Sequence, residues 1–230
     1  MNVIGISGYA RCGKDTFVGI AKGILSKNGY IPMRTAFADI LKEEIEIMLQ
    51  TNGFDLDVYT DNLEEKSKIR PLMVFWGCAR RDLSKDGLYW VHKVDKHLQS
   101  IVYDYANNGE STDSIVTLVS DVRFPNEAKW IQESWDGEVI HLRRYTKGLD
   151  YIGAGEERSF HPHYKTIYDP APNEEEEKQD PIVMAMANHR IEWENIGKLS
   201  AAEAGENPYL RGEVLKALNA TKFFNGKLVL

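Results

Sequence analysis

The chain has 230 residues, 43% hydrophobic and 27% charged, with a formal net charge of −7. That balance is ordinary for a globular protein, and the negative sign argues against broad duplex or membrane binding, since both partners ask for a basic face. Two cysteines, Cys12 and Cys78, make no disulfide framework and fit a reducing compartment. No stretch approaches the roughly 20 apolar residues that cross a bilayer, and the apolar opening Met1–Ser7 is too short for a leader. The expectation is a soluble, cytoplasmic protein with one α/β domain.

Asn2 to Ser7 is a short apolar, β-branched run and reads as a buried strand of a parallel sheet. A glycine-rich turn follows. Thr16 to Leu25 then has helical spacing, with Gly29 at the helix exit. Ile31 to Phe37 reads as a second strand and Asp39 to Leu49 as an amphipathic helix with an acid near its start. Thr51 to Lys66 is polar and broken and reads as loop. Helices are expected over Leu72–Leu83 and Leu88–Tyr105, a strand over Ile115–Ser120, a helix over Asn126–Glu133 and a strand over Glu138–Leu142. Strands alternating with helices favour a mostly parallel sheet covered on both faces.

Tyr145 to Asn188 breaks this rhythm with glycines, prolines and the acidic run Glu174–Glu177, which reads as a solvated loop. A connection this long suggests a functional lid or an insertion. Within it, His161-Pro162-His163 invites a metal reading, but no cysteine or third histidine lies close in sequence. Arg190 to Ile196 reads as a last strand and Leu210 to Phe224 as a C-terminal helix. The tryptophans read as core or cleft wall.

Gly8-Tyr9-Ala10-Arg11-Cys12-Gly13-Lys14 matches the G-x-x-x-x-G-K pattern of a phosphate-binding loop. The glycines let successive backbone amides turn toward phosphate oxygens, and the lysine reaches the β- and γ-phosphates of a nucleotide. The following helix offers its positive end to the same anion. The hydroxyl that usually follows the lysine is displaced by one residue: Asp15 stands there and Thr16 comes next. Either Thr16 supplies the hydroxyl to Mg²⁺, or Asp15 acts on the metal through water or on a substrate proton, or Asp15 serves only the helix start. Cys12, inside the loop, is a candidate for sensitivity to thiol reagents.

The Ile115–Ser120 strand ends in Asp121-Val122-Arg123, with Glu127 four residues on. Ligands of open α/β sheets gather at the carboxyl ends of strands, so this acid and base sit where a second substrate would meet the loop. Asp121 suits a metal or a sugar hydroxyl, and Arg123 a phosphate. The alternative is a local salt bridge at a strand end.

These residues together resemble the deoxynucleoside monophosphate kinases of large tailed bacteriophages. The likeness rests on Gly8 to Thr16 with its Gly-Lys-Asp-Thr ending, on Asp121-x-Arg123-x-x-x-Glu127, on Arg70-Pro71-Leu72-Met73 to Gly77 closing on Trp90-Val91, and on Asn188-His189-Arg190-Ile191 to Gly197. The family often reads Gly-Thr-Asp where this chain has Gly77-Cys78-Ala79. Motifs are sparse between residues 145 and 188.

The resemblance implies a kinase fold with a core at about 1–50, 112–144 and 189–230. It implies an acceptor-binding helical region at about 51–111 and a lid or insertion at about 145–188. It implies ATP and Mg²⁺ as cofactors and a deoxynucleoside monophosphate as partner, with no nucleic acid or membrane and a homodimer left open. Gly8, Arg11, Cys12, Gly13, Lys14, Asp15, Thr16 and Arg143 would hold ATP and its metal. Asp15, Arg70, Arg80, Arg81, Asp121, Arg123 and Glu127 would hold the acceptor. Lys14, Asp15, Arg81, Asp121 and Arg123 would carry the transfer. Arg143-Arg144, at a strand end, would bridge the two phosphates, and one of Phe37, Phe75 or Trp76 would stack on the acceptor base. Two rival readings stand beside this one: a P-loop kinase of another small acceptor, such as dephospho-coenzyme A or a phosphorylated alcohol, and a nucleotide-binding switch without turnover.

Overall fold

The computed structural model describes residues 1–60, 62–150 and 163–230. The strands are β1 (Asn2–Ser7), β2 (Ile31–Thr35), β3 (Ile115–Val122), β4 (Glu138–Asp150), β5 (His163–Tyr168) and β6 (His189–Glu194). The helices are α1 (Lys14–Lys27), α2 (Phe37–Thr51), α3 (Leu63–Asp82), α4 (Tyr89–Asn107), α5 (Pro125–Ser134), α6 (Glu174–Met186), α7 (Ala201–Glu206) and α8 (Pro208–Ala220). Five strands run parallel in the order β2-β3-β1-β4-β6. The expected α/β class, with a mostly parallel sheet and helices on both faces, is what the chain adopts.

The alternation of side chains along each strand divides the core in two. Ile4 and Ile6 of β1, Val116 and Leu118 of β3, and Ile140 and Leu142 of β4 face α1 and α8. Val3, Val119, Val122 and Val139 face α4, α5 and Val183 of α6. Gly5 is needed on this second face: a Cβ there would meet Ile131 Cδ1 at 2.6 Å. A third cluster, Ile45, Leu49, Val58 and Ile69, ties α2 to α3.

Four stretches depart from the sequence reading, each for a physical reason. Phe37 leaves the strand and opens α2, because its amide and that of Ala38 are held by Asp121. α3 starts at Leu63, nine residues before the expected Leu72, and runs through Pro71. Asn62 caps it by accepting from the Glu64 and Glu65 amides, and acids at its start and arginines at its end suit the helix dipole.

The remaining two fall in the stretch expected to be irregular. β4 continues to Asp150 and pairs antiparallel with β5. Glu174–Glu177, expected as a solvated loop, form the first turn of α6, where four acids meet the positive end of the helix and Asn173 caps it. His161-Pro162 lies outside the described residues. Among those described, no helix is long and apolar enough to cross a membrane.

The C-terminal tail closes the α1/α8 face. Phe224 is fully buried and meets the Tyr30 ring edge-on at 5.1 Å. Asn219 and Asn28 take the backbone of Leu228 and Val229. Phe224→Ala is therefore expected to lower stability by about 3–5 kcal/mol, read as a drop in the urea midpoint.

Candidate active site

The phosphate loop joins β1 to α1. Gly8 sits at φ 128° and Gly13 at φ 103°, a region that other residues rarely adopt. Space is also closed to any side chain: a Cβ on Gly8 would lie 2.3 Å from the Leu142 carbonyl oxygen, and one on Gly13 would lie 2.5 Å from the Trp193 ring. Trp193, from β6, donates its indole N–H to the Cys12 carbonyl at 2.8 Å and so braces the loop from beneath. Arg11 also has positive φ, 67°, is exposed and lines the cavity. Cys12 is buried beneath the loop, and burial pushes its thiol up. That environment makes it a poor target for thiol reagents; Cys78 is the exposed one.

Lys14 is buried, and its ammonium donates to the carbonyls of Gly8 at 2.6 Å and Tyr9 at 2.8 Å. Gly13 holds the N-cap position of α1, so Asp15 is a first-turn acid rather than the cap. Asp15 is exposed, and both it and Thr16 line the cavity. Mg²⁺ takes oxygen donors, and a carboxylate and a hydroxyl beside the loop amides fit that ion.

This first cavity encloses about 570 Å³. Loop residues 10–16 form one wall, Trp193 to Leu199 another, and Arg34, Lys42, Arg123 and Arg144 add positive charge. The second cavity, about 590 Å³, is walled by α2, α3, α5 and the start of α6. Phe37, Leu41, Met73, Val74, Trp90 and Phe124 give it apolar sides, and Arg70, Arg81 and Arg123 bring charge. Both cavities include Ala38, Asp121 and Arg123. They are two lobes meeting at the end of β3.

Asp121 makes this junction. Its Oδ1 accepts from the Phe37 amide at 2.8 Å and its Oδ2 from the Ala38 amide at 2.9 Å. Removal from water pushes its carboxyl above the usual range, against the pull of those amides. Glu127 holds the next turn, its Oε2 accepting from the Arg123 amide at 2.7 Å and the Phe124 amide at 3.0 Å. It lines the second lobe, but it is nearly fully buried and its carboxyl group serves the backbone of that turn. Arg81 lies over the Phe124 ring, 3.8 Å from its centroid.

Not every expected residue arrives at the cleft. Arg80 pairs with Glu44 at 3.1 Å and stacks between the Trp76 and Tyr89 rings, so it braces α3 and lines neither lobe. Arg143 lies over the Tyr168 ring and pairs with Glu192 at 3.5 Å, whereas its neighbour Arg144 lines the first lobe. Strand alternation separates the two arginines. Of the three aromatic candidates for base stacking, Phe37 lines the second lobe; Phe75 is exposed, and Trp76 bonds to Glu44. Sequence reasoning missed Glu176, whose buried carboxylate accepts from the Ala10 amide at 2.6 Å and from Arg123 at 2.9 Å. It also missed Arg34 and Lys42. Arg34 at the end of β2 could have been found by the strand-end rule; nothing in the acidic run distinguishes Glu176.

Burial raises the Glu127 carboxyl from its ordinary 4.5 to about 8. The folded chain then keeps a proton that the unfolded chain has released. Stability is therefore expected to fall as pH rises through that window. Glu127→Gln should flatten this decline, read from urea midpoints at about pH 5 and about pH 8.

No protein-family model matches the chain, and no curated protein sequence matches it. Among solved structures, a gluconokinase from Sinorhizobium meliloti 1021 aligns over 95% of this chain and 94% of its own, at 13% identity and a TM-score of 0.32. A likeness that distant carries no argument about activity.

Proposed function

We propose that this chain transfers the γ-phosphoryl group of ATP to the phosphate of a deoxynucleoside 5′-monophosphate, releasing the diphosphate and ADP. The observation that carries this reading is the pair of lobes joined at Asp121 and Arg123, one beside the phosphate loop and the other with apolar walls and arginines. Phosphoryl transfer asks a protein mainly for positioning and charge neutralisation. A nucleotide-binding switch has no need of a second basic lobe.

In this reading the loop amides and Lys14 hold the ATP phosphates, the ammonium turning from the Gly8 and Tyr9 carbonyls toward them. Asp15 and Thr16 would hold Mg²⁺, which when bound neutralises phosphate charge. The base and ribose of ATP lie along Trp193 to Leu199. The acceptor is dianionic, and Arg70, Arg81 and Arg123 bring its phosphate to the junction. Its base packs between Phe37 and the apolar face of α3. Arg144 is the better placed of the two strand-end arginines to reach the transferred group.

A panel of deoxynucleoside monophosphates, assayed for ATP-dependent ADP release, tests the acceptor. Turnover on at least one is expected, and none on any would point to another small acceptor or to a binding protein. Lys14→Ala should cut turnover by at least about 10²–10³-fold while the chain stays folded. Arg123→Ala should raise KM for the acceptor more than for ATP; an equal rise would remove it from the acceptor side.

A further inference from the structure

The acidic run at the start of α6 puts one side chain between the lobes. Glu176 is 8% exposed. Oε2 accepts from the Ala10 amide of the phosphate loop at 2.6 Å, and Oε1 accepts from the Arg123 guanidinium at 2.9 Å. Asn173 fixes the base of this arrangement: its Oδ1 accepts from the Glu176 amide at 2.9 Å, and its Nδ2 reaches Oε1 at 3.3 Å. One turn on, Asp180 pairs with the buried ring of His141 on β4 at 3.0 Å. Residues four apart share a helix face, so α6 is seated on the loop and sheet by two carboxylates.

Both partners of Glu176 are groups that an anion would seek. An amide of the phosphate loop and an arginine common to both lobes are the donors expected to meet the donor and acceptor phosphates. A carboxylate is the side chain that resembles phosphate in charge and in its two acceptor oxygens. The Ala10 amide has one hydrogen and cannot serve Glu176 and a phosphate together, and a carboxylate held on one nitrogen of Arg123 occupies part of its fork and repels an incoming phosphate.

We propose that Glu176 is a built-in competitor for phosphate: it holds the Ala10 amide and one nitrogen of Arg123, and it must release the Ala10 amide before a phosphate can take that donor. The proposal rests on the phosphoryl-transfer reading above. Release of Glu176 loosens the first turn of α6 from the loop, so cleft filling and the position of α6 are coupled. The apparent affinity for nucleotide is then reduced by the fraction of chains in which Glu176 is already released.

Calorimetric titration of ATP with Mg²⁺ into the wild-type chain, Glu176→Gln and Glu176→Ala tests this. If the contact is made in nine chains of ten, removing it tightens ATP binding by about ten-fold. A simple structural brace would not do so. Unchanged or weaker affinity in a variant that remains folded overturns the proposal and leaves the kinase reading standing. No ATP binding by any of the three chains overturns both. Should the variants fail to fold, hydrogen exchange of the wild-type chain decides: faster exchange over residues 174–180 on adding ATP and Mg²⁺ supports release, and unchanged exchange contradicts it.

Discussion

A carboxylate at the end of β3 holds the first two amides of α2, and the cleft is built around that join. Asp121 spends one oxygen on Phe37 and the other on Ala38. α2 has no side-chain cap of its own at Ala36, so its orphan amides are satisfied from across the sheet. The bond fixes where β2 stops and where α2 turns away. It also sets α2, and the α3 packed on it through Ile45, Leu49 and Ile69, at a distance from the phosphate loop. Both lobes take a wall from this one junction. Glu127 repeats the device one turn later by holding the Arg123 and Phe124 amides.

The charge pattern follows from the same geometry. The chain is acidic as a whole, at −7, yet the lobes gather Lys14, Arg34, Lys42, Arg70, Arg81, Arg123 and Arg144. Cations concentrated in a concave site, on a protein of opposite net sign, favour small anions over extended ones. Acids are interleaved among them, and these acids are not idle. Asp39 pairs with Arg34 at 2.5 Å, Asp169 with Arg144 at 2.6 Å, and Glu176 with Arg123. Each pairing orients an arginine while leaving it partly exposed.

Local features were legible in the sequence where local physics decides the structure. The apolar β-branched runs became β1 and β3, and the glycine spacing became the loop. The strand-end pair Asp121 and Arg123 fell at the junction of the lobes, because the carboxyl end of a central strand has few other places to be. What long-range contacts decide was hidden. Pro71 and Pro181 both lie inside helices, which are held by packing of Ile69 and Val183 into clusters built by distant parts of the chain. Arg80 and Arg81 read alike as neighbours, but one faces Glu44 and the other Phe124. Arg143 and Arg144 part in the same way on a strand. Glu176 was invisible because its partners lie 166 and 53 residues away, and a run of four glutamates reads as solvated until α6 is seated.

In the proposed reaction two phosphate-bearing ligands meet across Asp121 and Arg123. Calorimetry with a bisubstrate compound, adenosine and deoxythymidine joined through their 5′ positions by five phosphates, tests it most directly. If the lobes are donor and acceptor sites, joining the two ligands makes the second contact intramolecular, and the compound should bind at least about 10²-fold more tightly than ATP. That gain should largely disappear in Arg123→Ala. Affinity no greater than that of ATP, for this compound and for its counterparts with the other deoxynucleosides, would mean that the two lobes are not donor and acceptor sites.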